Sequence, residues 1–424
     1  MEEYEVEIID MNEDGIGIAR IDGMVLFIPG LVTGDRALVS VTERRRNFAE
    51  GALIRLIQPS ESRIRPLCPF SSLCGGCTLS HITFEEENNV KKKTVMAALR
   101  RAGLDYSLVS DTISTPERTG YRNKIAVHYD RESRMFGYCR AQTNEVLPFD
   151  GCLLCPPVFS DIIRAVNFVM PSADACSPTE LQIRSTADGV TVSLYTETRQ
   201  AEAFDSFRRA LMERFTVICD VLCFAADEKS SDNKAYFTDQ IGSLTMRFTT
   251  EAFRQVNRSA FERLLTELCR LAGERPFTVG ADLYCGSGII GLTLAKAFPG
   301  TQFDGIEINP DAIEDARCNA QLNGIGNIRF FCGDSSLYRA KTDRQPELIV
   351  VDPPRAGLSP KMREELAVLH PERILYVSCN PQTLARDAAA LSQAGYTLSD
   401  VIPVNMFPMT RHVECVVLMS KATK

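Results

Sequence analysis

Between residues 4 and 57 apolar and polar positions alternate in short runs, with Val6 and Ile8, Val25 and Phe27, and Leu38, Val39 and Val41 as apolar members. Gly15, Gly17, Gly23, Gly30 and Gly34 punctuate them. A two-residue period broken by glycines predicts several short strands closing a small β-barrel. Residues 58–81 have no period and are rich in Cys, Ser and Pro, as loops are. Phe84 to Arg101 reads as a helix with a charged face. From Tyr121 to about Phe248 strand patterns recur at Lys124–Tyr129, Glu180–Arg184 and Val190–Tyr195, predicting a mixed α+β region, and the polar segment Ala225–Ala235 predicts an exposed loop. After Thr250 helices and apolar strands alternate: helix Ala252–Leu271, strand Ala281–Tyr284, strand Phe303–Ile306, helix Asp311–Asn323, strands Ile328–Phe331 and Leu348–Val351, helix Lys361–Leu369 and strand Ile374–Val377. That alternation predicts a Rossmann-like, doubly wound parallel sheet that binds ligands at the carboxyl ends of its strands. The expected organisation is a barrel at 1–57, a central domain at 58–250 and an α/β domain at 251–424.

Composition adds limits. A hydrophobic share of 45% and a charged share of 24% are those of a folded globular chain. The acidic start lacks a basic, then apolar leader, and no apolar run is long enough to span a membrane, so a cytoplasmic location is expected and a membrane partner is not. Fifteen cysteines, an odd number scattered over the chain, argue for reduced thiols rather than a disulfide framework. The net charge of −8 is unequally spread: residues 1–57 hold 6 Lys/Arg against 11 Asp/Glu, and residues 58–140 hold 13 against 9. The second stretch is the better phosphate-facing candidate. Arg44, Arg45 and Arg46 fall between two strand patterns, at an expected loop tip.

The chemistry collects at strand ends. Asp282-Leu283-Tyr284-Cys285-Gly286-Ser287-Gly288 closes one strand and opens a helix, where glycines let backbone approach a ligand closely. Glu307 ends the next strand about twenty residues later, suited to accept bonds from ribose hydroxyls. Asp334 follows the third strand, placed to meet an adenine amino group or to cap the next turn; this third element is typical of S-adenosylmethionine-binding methyltransferases. Asp352-Pro353-Pro354-Arg355 ends the fourth strand, with prolines fixing the chain so that Asp352 enters the crevice. In methyltransferases acting on adenine amino groups an aromatic residue follows the Asp-Pro-Pro; Arg355 in its place argues against that chemistry.

Ser378-Cys379-Asn380-Pro381 follows the next strand, bringing a thiol to the same edge. Uracil carbon 5 is too weak a nucleophile to take a methyl group from a sulfonium unaided. A thiolate adding to carbon 6 makes an enolate whose carbon 5 can attack, and sulfur leaves again by β-elimination. Cys379 is the candidate nucleophile. A base must then remove the carbon-5 proton, and Glu414, in His412-Val413-Glu414-Cys415 before an apolar strand, is the candidate.

In that order, DLYCGSG, DPPRAGL, SCNP and HVE resemble the RNA uridine-5-methyltransferase family. Phe253-Arg254-Gln255-Val256-Asn257 resembles its cofactor-contacting glutamine segment, Tyr121-Arg122-Asn123-Lys124 its RNA-facing stretch, and residues 1–57 an RNA-binding TRAM barrel. The resemblance implies Cys379 as nucleophile, Glu414 as base, and Gln255, Tyr284, Glu307, Asp334 and Asp352 as cofactor or active-site contacts. It implies S-adenosylmethionine as methyl donor and RNA as partner, with no obligatory protein partner. A stacked uridine must be extruded to react, and Lys91, Lys92, Lys93, Arg122 and Lys124 are expected to hold the flanking RNA, the lysine run being equally readable as a solvated helix face.

Cys68, Cys74 and Cys77 place three thiols in ten residues. Sets of four thiolates select zinc or an iron–sulfur cluster. The C-x5-C-x2-C spacing with a distant cysteine resembles the ribosomal-RNA branch of the family, which implies a [4Fe-4S] cluster on Cys68, Cys74, Cys77 and Cys152. Cys155 is the rival fourth ligand and zinc the rival metal. The spacing is not that of radical S-adenosylmethionine enzymes. The branch implies 23S rRNA as substrate; the alternatives are the same chemistry on transfer RNA and a non-catalytic RNA-binding scaffold.

Overall fold

In the computed structural model, described for residues 2–149, 151–170, 177–198, 200–226, 236–250 and 252–422, the first alternating segment forms strands β1 (Glu3–Glu7), β2 (Asp10–Met11), β3 (Ile16–Ile21), β4 (Met24–Pro29), β5 (Arg36–Arg44) and β6 (Phe48–Gln58). They hydrogen-bond in the order β1-β5-β6-β4-β3-β2. The chain between β1 and β2 closes the sheet: Ile8 exchanges bonds with Gly34 and Asp35 on one side, and Ile9 donates to Ile18 O at 2.9 Å on the other. A closed sheet leaves no free edge. Every second side chain, including Ile8, Ala19, Leu26, Ile28 and Val39, is buried inside. The arginine triplet stands where expected, with Arg45–Asn47 turning between β5 and β6; Arg44 pairs with Glu2 and Arg45 with Glu43. Gly15 marks where the barrel meets the cysteine loop, since a Cβ on it would lie 2.5 Å from Thr78 O.

Helix α1 (Phe84–Arg101) has the predicted bounds, with Thr83 capping Glu86 N, acids in the first turn and arginines in the last. The central sheet comprises β7 (Lys124–Asp130), β8 (Met135–Cys139), β9 (Val146–Pro148), β10 (Pro178–Thr186), β11 (Gly189–Thr196) and β12 (Ile218–Ala225), ordered β12-β11-β10-β7-β8-β9. Helices α2 (Pro157–Val169) and α3 (Ala201–Arg214) bury Phe159, Ile163, Phe207 and Leu211 in one core with Val127, Leu181 and Leu194 of the strands. Most of the segment expected as a loop at Ala225–Ala235 lies outside the described residues, as does Asp150.

The C-terminal core begins before residue 251. Strands β13 (Tyr236–Ile241) and β14 (Leu244–Thr249) pair as a hairpin whose Phe237, Met246 and Phe248 enter that core. Then follow α4 (Arg258–Ala272), β15 (Val279–Leu283), α5 (Ile289–Ala297), β16 (Gln302–Glu307), α6 (Pro310–Leu322), β17 (Ile328–Cys332), α7 (Tyr338–Lys341), β18 (Leu348–Val351), α8 (Pro360–Leu369), β19 (Arg373–Ser378), α9 (Pro381–Gln393), β20 (Tyr396–Val404) and β21 (Glu414–Lys421). Asp315, Asn319 and, just past the last turn, Asn323 recur every four residues along the α6 side and bond the backbone of β14 and its turn as a neighbouring strand would. The helix expected from Ala252 starts only at Arg258, because Asn257, itself extended, caps it.

Among the described residues the large sheet has the order β17-β16-β15-β18-β19-β21-β20. β15 to β19 are parallel, and β18 and β19 are buried throughout, as strands covered on both faces must be. The last strand departs from that direction. β21 returns from β20 through a loop and runs antiparallel between β19 and β20. Among the described residues no helix is long and apolar enough to cross a membrane.

Candidate active site

The carboxyl ends of β15, β16, β17, β18 and β19 bring Tyr284, Glu307, Asp334, Asp352 and Cys379 to one rim, because parallel strands end on the same side. After β15 the chain turns sharply. Tyr284 has φ +68° and its N–H bonds Ile306 O at 3.0 Å and Ser335 Oγ at 3.2 Å. Gly286 has φ +53°, and the space where its Cβ would stand is open. This is backbone that a ligand can approach. Gly288, at φ +87°, starts α5, and a Cβ there would lie 2.9 Å from Phe330.

Glu307 accepts from Gly286 N at 3.2 Å and from Asn309 N at 2.8 Å, which leaves acceptor capacity on both oxygens. Asp334 is exposed and caps Ser336 N through Oδ1 at 2.9 Å, so the capping reading holds and Oδ2 stays available. Burial pushes the Tyr284 hydroxyl up to about 12, with Asp334 adding to it. Gln255 is half-buried on the extended segment before α4, where its carbonyl takes a bond from Asn123 Nδ2 at 3.0 Å. Next to it Phe253 is 81% exposed. Acidic groups beside an open glycine turn fit an adenosine-bearing methyl donor.

Register unites the other two residues. Ser378 pairs with Cys415 across β19 and β21, and in an antiparallel pair the next residue, Cys379, falls opposite Glu414. Asn380 holds this turn: its Oδ1 caps Gln382 N at 3.0 Å and its Nδ2 bonds Arg355 O at 3.2 Å, tying the SCNP and DPPR turns together. Asp387 of α9 holds the same region from below, accepting from Leu358 N at 2.7 Å and Tyr376 Oη at 2.9 Å. Neither contact was legible in the motifs.

The electrostatics are those of a dry, acidic corner. Glu414 is 4% exposed, and burial, reinforced by Asp352, pushes its carboxyl up to about 8. Burial pushes Asp352 and Asp282 each to about 7. The half-buried Cys379 thiol is raised by burial and then by Glu414, while Arg355 lowers it. Arg355 thus supplies positive potential to both groups. His412 is held neutral, pushed down to about 4 by burial, then Arg355.

The thiols of Cys68, Cys74, Cys77 and Cys152 line one cavity with Phe70, Tyr138, Phe149 and Met409. Cys155 is buried behind Cys152 and is absent from that lining. Among the described residues no three His, Cys, Asp or Glu side chains are gathered as a metal-ion site.

One expectation about RNA contacts is corrected. Lys91 is 1% exposed and ion-paired to Glu87 at 3.1 Å, so it is neither a solvated charge nor an RNA contact; α1 turns that face inward. Lys92 and Lys93 lie nearer the surface, paired with Asp111 and Asp10. The stretch Tyr121–Lys124 is half-buried and works as a splice: Tyr121 Oη bonds Pro408 O at 3.1 Å, Arg122 N bonds Leu154 O at 2.7 Å, and Asn123 N bonds Val256 O at 2.8 Å.

Comparison with known proteins agrees with this geometry. Residues 240–422 match the tRNA (uracil-5-)-methyltransferase family and residues 1–54 the TRAM domain. An uncharacterized RNA methyltransferase of Caldanaerobacter subterraneus subsp. tengcongensis is 30% identical over 447 aligned residues, 99% of this chain and 98% of that protein. One from Halalkalibacterium halodurans is 31% identical over 98% of this chain and 96% of its own. The crystal structure of Pyrococcus abyssi tRNA (uracil-54, C5)-methyltransferase with S-adenosyl-L-homocysteine superposes with TM-score 0.75 at 23% identity, covering 98% of this chain and 99% of that one.

Proposed function

Because the chain belongs to the uracil-5 RNA methyltransferases, which use S-adenosylmethionine, we propose that it methylates carbon 5 of a uridine in 23S rRNA through a covalent adduct on Cys379. The observation that carries the mechanism is the β19–β21 register, with thiol and carboxylate adjacent at the rim of the cofactor crevice. Cys379 gives up its proton to solvent water and its sulfur bonds carbon 6 of the extruded base, moving the C5–C6 π pair into the enolate. The resulting carbon-5 nucleophile takes the methyl group that S-adenosylmethionine supplies. Glu414 then accepts the carbon-5 proton, the C6–S bond breaks, and its electron pair returns to the thiolate. A base near 8 is well matched to that transfer. Gln255, Tyr284, Glu307 and Asp334 hold the donor, and Asp352 faces the reacting base.

The four cysteines lining the cavity are a set that a [4Fe-4S] cluster takes, each iron on its own thiolate, and a single zinc ion is the rival. Cys68, Cys74, Cys77 and Cys152 would hold the cluster as a brace between the cysteine loop and the central domain. The thiol set together with the barrel supports the ribosomal substrate. A second reading, a transfer-RNA uridine, is favoured by the full-length similarity to the Pyrococcus tRNA enzyme.

Methyl transfer from a tritiated donor to purified 23S rRNA and to bulk tRNA separates these readings; label confined to tRNA overturns the ribosomal one. Glu414→Gln should accumulate an RNA–protein adduct that survives denaturation, and Cys379→Ala should form none. Equal adduct in both variants would remove Cys379 from the mechanism.

A further inference from the structure

The loop at 405–413 joins β20 to β21 and ends at Glu414, whose register partner is Val404. Its anchors come from segments far apart in sequence. Asn405 N bonds Ile113 O at 2.7 Å, Met406 O accepts from Asn257 Nδ2 at 3.1 Å, and Leu79 N donates to Met409 O at 2.9 Å. At its centre are two buried charges from α1. Glu87 Oε1 accepts from Asn405 Nδ2 at 2.8 Å and from Met409 N at 2.9 Å, while Lys91 Nζ donates to Asn405 Oδ1 and, at 2.9 Å, to Phe407 O. Arg118 takes the other Glu87 oxygen at 2.9 Å. Glu87 and Asn405 are fully buried, so water cannot replace a lost partner without the loop moving.

We infer that the Glu87–Lys91 pair of α1 is a positioning device for Glu414: by satisfying the buried polar groups of the 405–409 segment, it sets where β21 begins and hence where the base meets carbon 5. The inference rests on the proposed role of Glu414. A loop held from α1 governs one step, proton removal, and leaves the Cys379 turn, which Asn380 and Asp387 hold independently, in place. A misplacement of about 1 Å at the base costs on the order of 100-fold in that step.

The test compares Lys91→Met and Asn405→Ala with wild type and Glu414→Gln in the full-length protein, using single-turnover methylation and denaturing gels. Both loop variants should lower kcat about 10- to 100-fold, leave KM for RNA within about twofold, and accumulate the methylated, denaturation-resistant adduct. Asn405→Ala removes no charge and keeps the test decisive should Lys91→Met fold poorly. Adduct in Glu414→Gln but not in a folded Asn405→Ala or Lys91→Met overturns the positioning role alone. Absence of adduct in Glu414→Gln overturns the role of Glu414 and this inference with it.

Discussion

Glu414 concentrates the energetic conflict of the site. A carboxyl raised to about 8 by burial is protonated in the fold and ionised in the unfolded chain between its ordinary value near 4.5 and about pH 8. The folded state therefore binds more protons over that window. Its stabilising effect is complete at low pH and is lost as pH rises through about 8; Asp352 and Asp282, raised to about 7, act in the same direction. Two outcomes are expected. On the proposed role of Glu414, kcat/KM of the free enzyme rises as pH passes through about 8, where the carboxyl ionises. Glu414→Gln, inactive in turnover, melts higher than wild type at pH 9 by a few degrees and by less at pH 6. A pH series of melting curves checks the sign, and a variant less stable at pH 9 would contradict it. The same residue shows how much was legible beforehand: HVE before an apolar strand marked Glu414, but its burial and its pairing with Cys379 depend on a strand inserted from the far side of the sheet.

At the level of elements, the side of α6 bearing Asp315, Asn319 and Asn323 stands in for a strand. Asn319 is fully buried, bonding Arg247 N and O and, at 3.1 Å, Ser287 O of the cofactor turn. One amide thus fastens the β13–β14 hairpin and the glycine turn together. Asn319→Ala should destabilise the chain by about 2–4 kcal/mol and weaken binding of S-adenosylhomocysteine, measured by denaturant unfolding and calorimetry. Unchanged stability would show that water replaces the amide. The parallel strands from Ala281 to Val377 and the helices at Asp311 and Lys361 were readable in the chain to within a few residues, because their apolar runs are clear, whereas α9 and β20 were not assigned. Assignment of the hairpin was not: its alternation is the same whichever core it joins, and the residues that claim it are on a helix about 70 positions later.

Across the whole molecule, the cysteine loop, the central domain and the barrel meet near the four-thiol cavity, where Gly15 touches Thr78 and Met409 reaches in from the catalytic domain. A group bound there would add to the contacts that already join these parts, such as the Met11, Val32, Leu79 and Ile82 cluster and the Arg63–Asp35 pair. Cys152→Ser should lose bound iron and acid-labile sulfide and lower the first unfolding transition, while Cys155→Ser should retain both. Equal metal content in the two variants would reject the ligand assignment.

By itself the sequence located its candidate residues. In an open α/β sheet every strand's carboxyl end lies on one rim, so a motif read just after a strand is already located in space. That is why Glu307, Asp352 and Cys379 could be assembled before any coordinates. Only the tertiary structure decided which charges are buried and which turns are joints. Lys91 and Lys92 are neighbours of one type, yet one bonds an asparagine 314 positions away inside the protein and the other pairs with an exposed Asp111. A side chain's environment comes from whatever the fold packs against it, and that neighbour is not written beside it in the chain.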